Sequence, residues 1–206
     1  WQVRTKSLEY GEMPEASDWY RKNNFALFPS AFLSYSLPMD NELQINYTRR
    51  IRRPFGGQLN SFRNISDPAN ISFGNPELEP EYANSFELNY LKSWTMHMIS
   101  VSAYLRQSSN LMNRMSYLDN NVMYTTWDNI GRQTNSGIEI LAKNSLFRCL
   151  DLTTTVNLYN NHISAWSTTY YAEGKEFPLF GKARNSFAWD ARIMASVKLP
   201  WSLSFQ

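Results

Sequence analysis

The stretch Phe73 to Tyr90, FGNPELEPEYANSFELNY, holds a Gly-Asn-Pro turn, a second proline, and then an alternation that begins abruptly. After Asn84 the apolar Phe86, Leu88 and Tyr90 take one parity and Ser85, Glu87 and Asn89 the other. That is the period-2 pattern of a strand with one apolar and one wet face. Pro76 and Pro80 lack amide donors and disfavour helix in Asn75 and Glu79, so they mark where a loop ends and a sheet begins.

The same alternation recurs along the chain. Leu43, Ile45 and Tyr47 oppose Gln44, Asn46 and Thr48; Ile99, Val101, Ala103 and Leu105 oppose Ser100, Ser102, Tyr104 and Arg106. Ile138, Ile140 and Ala142 oppose Gly137 and Glu139, and Leu150, Leu152, Val156 and Leu158 oppose Asp151, Thr153, Thr155 and Asn157. A last run from Phe187 to Val197 behaves alike. This predicts about eight strands from Phe28 onward, with a strand remnant at Trp1 to Glu9 and no sustained helical period.

The connections alternate in length. Leu37 to Asn41, Lys92 to Thr95, Lys143 to Ser145 and Lys198 to Pro200 are short and rich in turn formers or charge; Tyr10 to Leu27, Arg53 to Ala83, Gln107 to Thr134 and Asn160 to Arg184 are long. Outer-membrane barrels have short periplasmic turns and long outer loops, whereas compact domains rarely carry several connections beyond about 15 residues. The expected class is therefore all-β: a portion of an antiparallel up-and-down transmembrane β-barrel, with the whole of residues 1–206 as one partial barrel domain. Such strands escape hydropathy scans because only every second residue meets lipid.

Aromatics make up 15% of the chain, and Tyr35, Tyr47, Tyr90, Trp94, Tyr104, Tyr159, Trp189 and Trp201 fall near strand ends, where interfacial girdles lie. The other account is the aromatic core of a soluble β-rich binding domain. A net charge of +2 argues no nucleic-acid surface, and Cys149, the single cysteine, excludes an internal disulfide. His97 and His162 lack metal-ligand spacing. No phosphate loop, His-Glu metal motif or nucleophile elbow occurs, and Glu87, Glu139, Asp151 and Asp190 sit on separate strands, so neither catalysis nor a cofactor is expected. The chain begins and stops within strand-like runs and reads as part of something longer.

Three motifs carry a resemblance: Asn75-Pro76-Glu77-Leu78-Glu79-Pro80-Glu81 followed by Glu87; Tyr47 to Pro54, YTRRIRRP; and Asn129-Ile130-Gly131 leading to Gly137-Ile138-Glu139. With the three in family order along the chain, and over Phe25 to Gln206, the chain resembles the barrel of TonB-dependent receptors, particularly the form common in Bacteroidetes. The resemblance implies the carboxy-terminal part, about eight or nine strands, of an outer-membrane barrel of about 22 strands plugged by an amino-terminal domain. It implies gated, energy-coupled uptake of a scarce nutrient, whether siderophore, glycan, cobalamin or peptide. The partners implied are membrane lipid, the TonB system acting through a plug absent from this chain, and a surface lipoprotein. A passive or assembly-type barrel of the same membrane is the alternative.

Two residue groups are candidate sites. Arg50 and Arg52 share the lumen parity of Gln44, Asn46 and Thr48, and either meet an anionic substrate or plug carboxylates, or pair with Glu87 and Glu139 on neighbouring walls. Arg49, on the lipid parity, would meet lipid phosphate at the outer rim. Gly137 beside Glu139 leaves room for a bend or a close neighbour. In the outer loops, WSTTYYAEGKEFPLF concentrates Trp166, Tyr170, Tyr171 and Phe177, suited to stacking on a ligand or to forming the loop's own small core.

Overall fold

The computed structural model describes residues 2–5, 18–21, 26–147, 150–172, 175–198 and 204–205. The wall strands form where the alternation predicts them, and further strands form within the long connections. β1 (Gln2–Thr5) and β2 (Asp18–Arg21) make a separate antiparallel pair. The wall uses β3 (Ser30–Leu37) and β4 (Asn41–Arg52), and the following long connection holds the one-turn helix α1 (Gly56–Leu59), β5 (Asn64–Asp67) and β6 (Asn70–Ser72). β7 (Glu81–Ser93) and β8 (His97–Ser109) return to the wall, and β9 (Met112–Asp119) and β10 (Val122–Asn129) fill the next connection. β11 (Arg132–Phe147) and β12 (Leu150–Ile163) are wall strands, β13 (Trp166–Ala172) and β14 (Lys175–Gly181) a hairpin, and β15 (Arg184–Lys198) and β16 (Ser204–Phe205) complete the set.

The main sheet has 8 strands in the order β16-β15-β12-β11-β8-β7-β4-β3, every neighbouring pair antiparallel. Wall strands take their chain neighbours as sheet neighbours, the up-and-down topology the loop rhythm predicts. β7 and β8 run 13 residues and β11 runs 16, against the roughly 9–11 a tilted strand needs to cross a bilayer. Lys143 to Ser145, expected as a turn, instead continues β11, because Lys143, Asn144 and Ser145 pair with Thr153, Leu152 and Asp151 and the Ser145 hydroxyl donates to Asp151 Oδ1 at 2.6 Å.

The register aligns the apolar residues into continuous rows. One runs Leu33, Ile45, Leu88, Ala103, Ile138, Leu158, Trp189, and the next Tyr35, Leu43, Tyr90, Val101, Ile140, Val156, Ala191. Between them, on the opposite face, lies Ser34, Gln44, Asn89, Ser102, Glu139, Asn157, Asp190. The apolar rows face outward: Leu33 is 63% exposed, Trp189 68% and Ile193 70%. An apolar face this broad would make a soluble monomer aggregate, since such proteins rarely expose patches beyond a few hundred Å². It is the face of a sheet whose solvent is lipid, and the soluble-domain account fails on it. Tyr104 and Tyr159, expected in the girdles, lie on the polar face because they pair with Gly137. Tyr35, Tyr47, Tyr90 and Trp189 keep the apolar face; Cys149 and Trp201 lie outside the described residues.

The long connections differ most from expectation. They carry strands, and two of them zip into one 4-stranded sheet, β5-β6-β10-β9, through a parallel β6–β10 joint. Leu59, Leu78 and Met112 form its buried core with Trp127 packed against them. Among the described residues the buried core therefore sits in this outer cap, while the wall has lipid on one side and polar groups on the other.

Candidate functional site

The polar face of the wall is built by direct cross-strand pairing. Gly137 lies opposite Tyr104 on one side and Tyr159 on the other, and a Cβ on Gly137 would stand 2.5 Å from the Tyr104 hydroxyl. The missing side chain thus lets the phenol lie across the neighbouring strand, where its Oη donates to Asn157 Oδ1 at 3.1 Å. Asn157 Nδ2 in turn donates to Asp190 Oδ1 at 3.2 Å. On the adjoining strands Ser100 and Ser102 both donate to Asn89 Oδ1, at 2.7 and 3.0 Å, and Asn89 Nδ2 donates to Gln44 Oε1 at 3.2 Å. These ladders border a hollow of about 680 Å³ whose lining includes Glu87, Tyr104, Arg106, Glu139, Asn157 and Asp190. Three carboxylates, a guanidinium and several amides make it a surface for hydrogen-bonding, hydrated guests.

Of the predicted charges, Glu87 and Glu139 come together on this hollow, and Arg50 and Arg52 do not line it. Arg52 pairs with Glu81, directly opposite in the register, at 2.9 Å, so its carboxylate is neither Glu87 nor Glu139. Arg50 lies across from Ala83 near the outer end of β4. Arg49 takes the apolar parity with its guanidinium 5.0 Å from the Tyr82 ring centroid. Tyr104, Arg106, Asn157 and Asp190 were not singled out as a site; their shared parity was legible, but their convergence depended on the register of four strands.

The outer cap is the second region. Asn75 Nδ2 donates to the carbonyl of Trp127 at 3.0 Å while its Oδ1 receives the Glu77 amide at 2.9 Å. The Glu79 amide donates to Asn129 Oδ1 at 2.6 Å, and Asn129 Nδ2 reaches the carbonyls of Glu79 and Asn110, both at 2.9 Å. The Asn-Pro-Glu-Leu-Glu-Pro and Asn-Ile-Gly motifs are therefore two sides of one seam, with Leu78 and Ile130 buried beside it.

The β13–β14 hairpin joins the cap. Phe177 packs on Tyr117, ring centroids 4.7 Å apart, and Lys175 Nζ meets Asp119 Oδ1 at 2.7 Å. The Trp166 indole covers Gly181, where no Cβ has room, and stands 3.6 Å from a Cβ placed on Gly131. Trp166 and Phe177 thus make packing contacts. Tyr170 and Tyr171 pair through their backbones with Phe177 and Glu176, and their side chains lie outside the described residues.

The fold has known counterparts. A siderophore receptor, PirA, from Pseudomonas aeruginosa superposes with a TM-score of 0.56 at 14% identity, over 91% of this chain and 37% of its own. PirA from Acinetobacter baumannii gives 0.51 at 13% identity, over 90% of this chain and 35% of that one. A mutant ferric enterobactin receptor, PfeA, from Pseudomonas aeruginosa in complex with enterobactin gives 0.53 at 14%, over 91% and 34%. The chain thus spans little more than a third of these structures. No curated protein sequence matches it. The model of the outer membrane protein β-barrel family matches residues 8–206, nearly the whole chain. With its lipid-facing rows and short-turn, long-loop architecture, the chain belongs to the outer membrane protein β-barrel family and resides in the outer membrane.

Proposed function

We propose that the intact protein is a gated, TonB-dependent receptor of the form common in Bacteroidetes, and not an enzyme. It takes a scarce nutrient at the outer face and admits it through a barrel of which this chain is part of the wall. One observation carries the reading: the register separates continuous exposed apolar rows from a polar face bearing a hollow, and crowns both with a folded outer cap. A wall of this kind suits a wide lumen, and an organised cap suits selective capture better than free passage. The nutrient is of siderophore, glycan, cobalamin or peptide type; siderophore receptors have a wall of similar fold. On this reading a plug domain coupled to TonB occupies the lumen against Glu87, Glu139 and Asp190, and a surface lipoprotein is a fitting outer partner.

The test is fractionation of cells making the intact protein, with an unboiled gel and growth on candidate nutrients with and without TonB. Outer-membrane recovery, a band that shifts on boiling and TonB-dependent growth are expected. Uptake unaffected by loss of TonB would replace the gated receptor with a passive barrel.

A further inference from the structure

The outer cap contains a second cavity, of about 280 Å³, on the sheet face that carries Trp127 and Arg114. We propose that this cavity is a binding subsite for a single carboxylated sugar ring of the uronic-acid type, an inference that rests on the receptor reading above.

Its walls are preformed. The Gly74 amide donates to the Asn60 carbonyl at 2.7 Å, Asn75 to Gln58 at 2.7 Å, and Phe73 to Thr125 at 3.0 Å. Two chain segments and a strand are thereby locked together before any ligand arrives. A Cβ on Gly74 would lie 2.5 Å from the Gln58 carbonyl oxygen and 2.6 Å from that of Asn60, so this close approach needs glycine. A preformed site loses little order on binding, so more of the contact energy appears as affinity.

The lining sets the chemistry. Phe62, 45% exposed, offers a ring for the C–H face of a sugar; Trp127, packed against Leu59, Leu78 and Met112, backs the Arg114 guanidinium; and Asn60, Asn64, Ser72 and Thr125 offer amides and hydroxyls. Arg114, directly opposite Trp127 in the β9–β10 register, holds its guanidinium 5.9 Å from the indole centroid; Arg63 stands likewise 5.6 Å from Phe73. None of the lining residues is acidic. A planar guanidinium beside a cavity without carboxylates selects a carboxylate, which it can grip through two parallel bonds. The volume lies just under the roughly 300–1,000 Å³ of drug-sized sites and so admits one ring. The polar lining favours a hydroxylated ring over a flat aromatic anion.

The experiment titrates the intact, detergent-purified protein with D-glucuronate, D-glucose and benzoate by isothermal calorimetry, beside its Arg114→Gln and Phe62→Ala variants. Both side chains are exposed, and an unboiled gel checks each preparation. Glucuronate is expected to bind about tenfold more tightly than glucose or benzoate, with Arg114→Gln bringing it to the level of glucose and Phe62→Ala weakening all sugars. A heat-modifiable barrel that ignores glucuronate, prefers benzoate, or binds glucuronate equally well after Arg114→Gln overturns the subsite and leaves the receptor standing. A soluble protein with no band shift removes the receptor reading, and this inference with it.

Discussion

Gly137 shows how one absent side chain organises a surface. The Tyr104 ring occupies the space above it, and the Leu158 backbone carbonyl lies only 2.7 Å from where a Cβ would stand, so the phenol would have to swing aside and the sheet itself to shift. Gly137→Val should displace the phenol, break its bond to Asn157 and cost about 1–3 kcal/mol, as overpacking does. Denaturant unfolding of the refolded intact barrel measures this, and Tyr104→Ala in the same background should restore part of the loss. That Gly137 faces the polar side and admits a close neighbour was readable from the alternation around Glu139. Which neighbour fills the space was not, because Tyr104 lies 33 residues earlier and reaches it only through the β8–β11 register.

Among the elements, the cap depends on contacts that no local pattern announces. β9 and β10 are joined by Asn120 and Asn121, both at positive φ (48° and 64°), which is the mirror-image two-residue turn that asparagine tolerates. That signal stood in the sequence inside a connection read as a loop. The parallel β6–β10 joint had no such signal. Asn129 ties these pieces with three hydrogen bonds, so Asn129→Ala should loosen the cap by about 1–3 kcal/mol while leaving the wall intact. Limited proteolysis should then cut between β8 and β11 with the band shift preserved. The β5–β6 turn gives a pH-dependent counterpart. The Asn70 side-chain amide, and then the Ala69 amide, hold the Asp67 carboxyl below its ordinary range. A depressed pKa contributes stability above the unfolded value, lost as pH falls through the lowered one. Protection of the Ala69 amide, measured against its intrinsic exchange rate at each pH, should therefore fall only below the usual carboxylate range, and Asp67→Asn should abolish that dependence.

For the whole molecule the deciding property is which face meets lipid. Ile138 sits mid-row on the apolar face, so Ile138→Arg should cost about 2–4 kcal/mol and reduce the heat-modifiable fraction in membranes. Asn157 lies one row away on the opposite face beside Asp190, and Asn157→Arg should fold normally. Equal damage from both would contradict a sheet with lipid on one side only.

The membrane was read from the alternating loop lengths and the resemblance, with a soluble β-rich domain still open; residue parity was enough to establish the wall strands and their two faces, because period 2 is a local property that each strand writes into its own few residues. The Asn-Pro-Glu-Leu-Glu-Pro and Asn-Ile-Gly motifs were visible as motifs for the same reason. Their union into one seam, the pairing of Arg52 with Glu81 rather than with Glu87 or Glu139, and the cavity between Phe62 and Arg114 arose only in three dimensions. Each of these depends on the register between segments that are distant in the chain, and register is set by the summed pairing of whole strands, not by any residue within one of them.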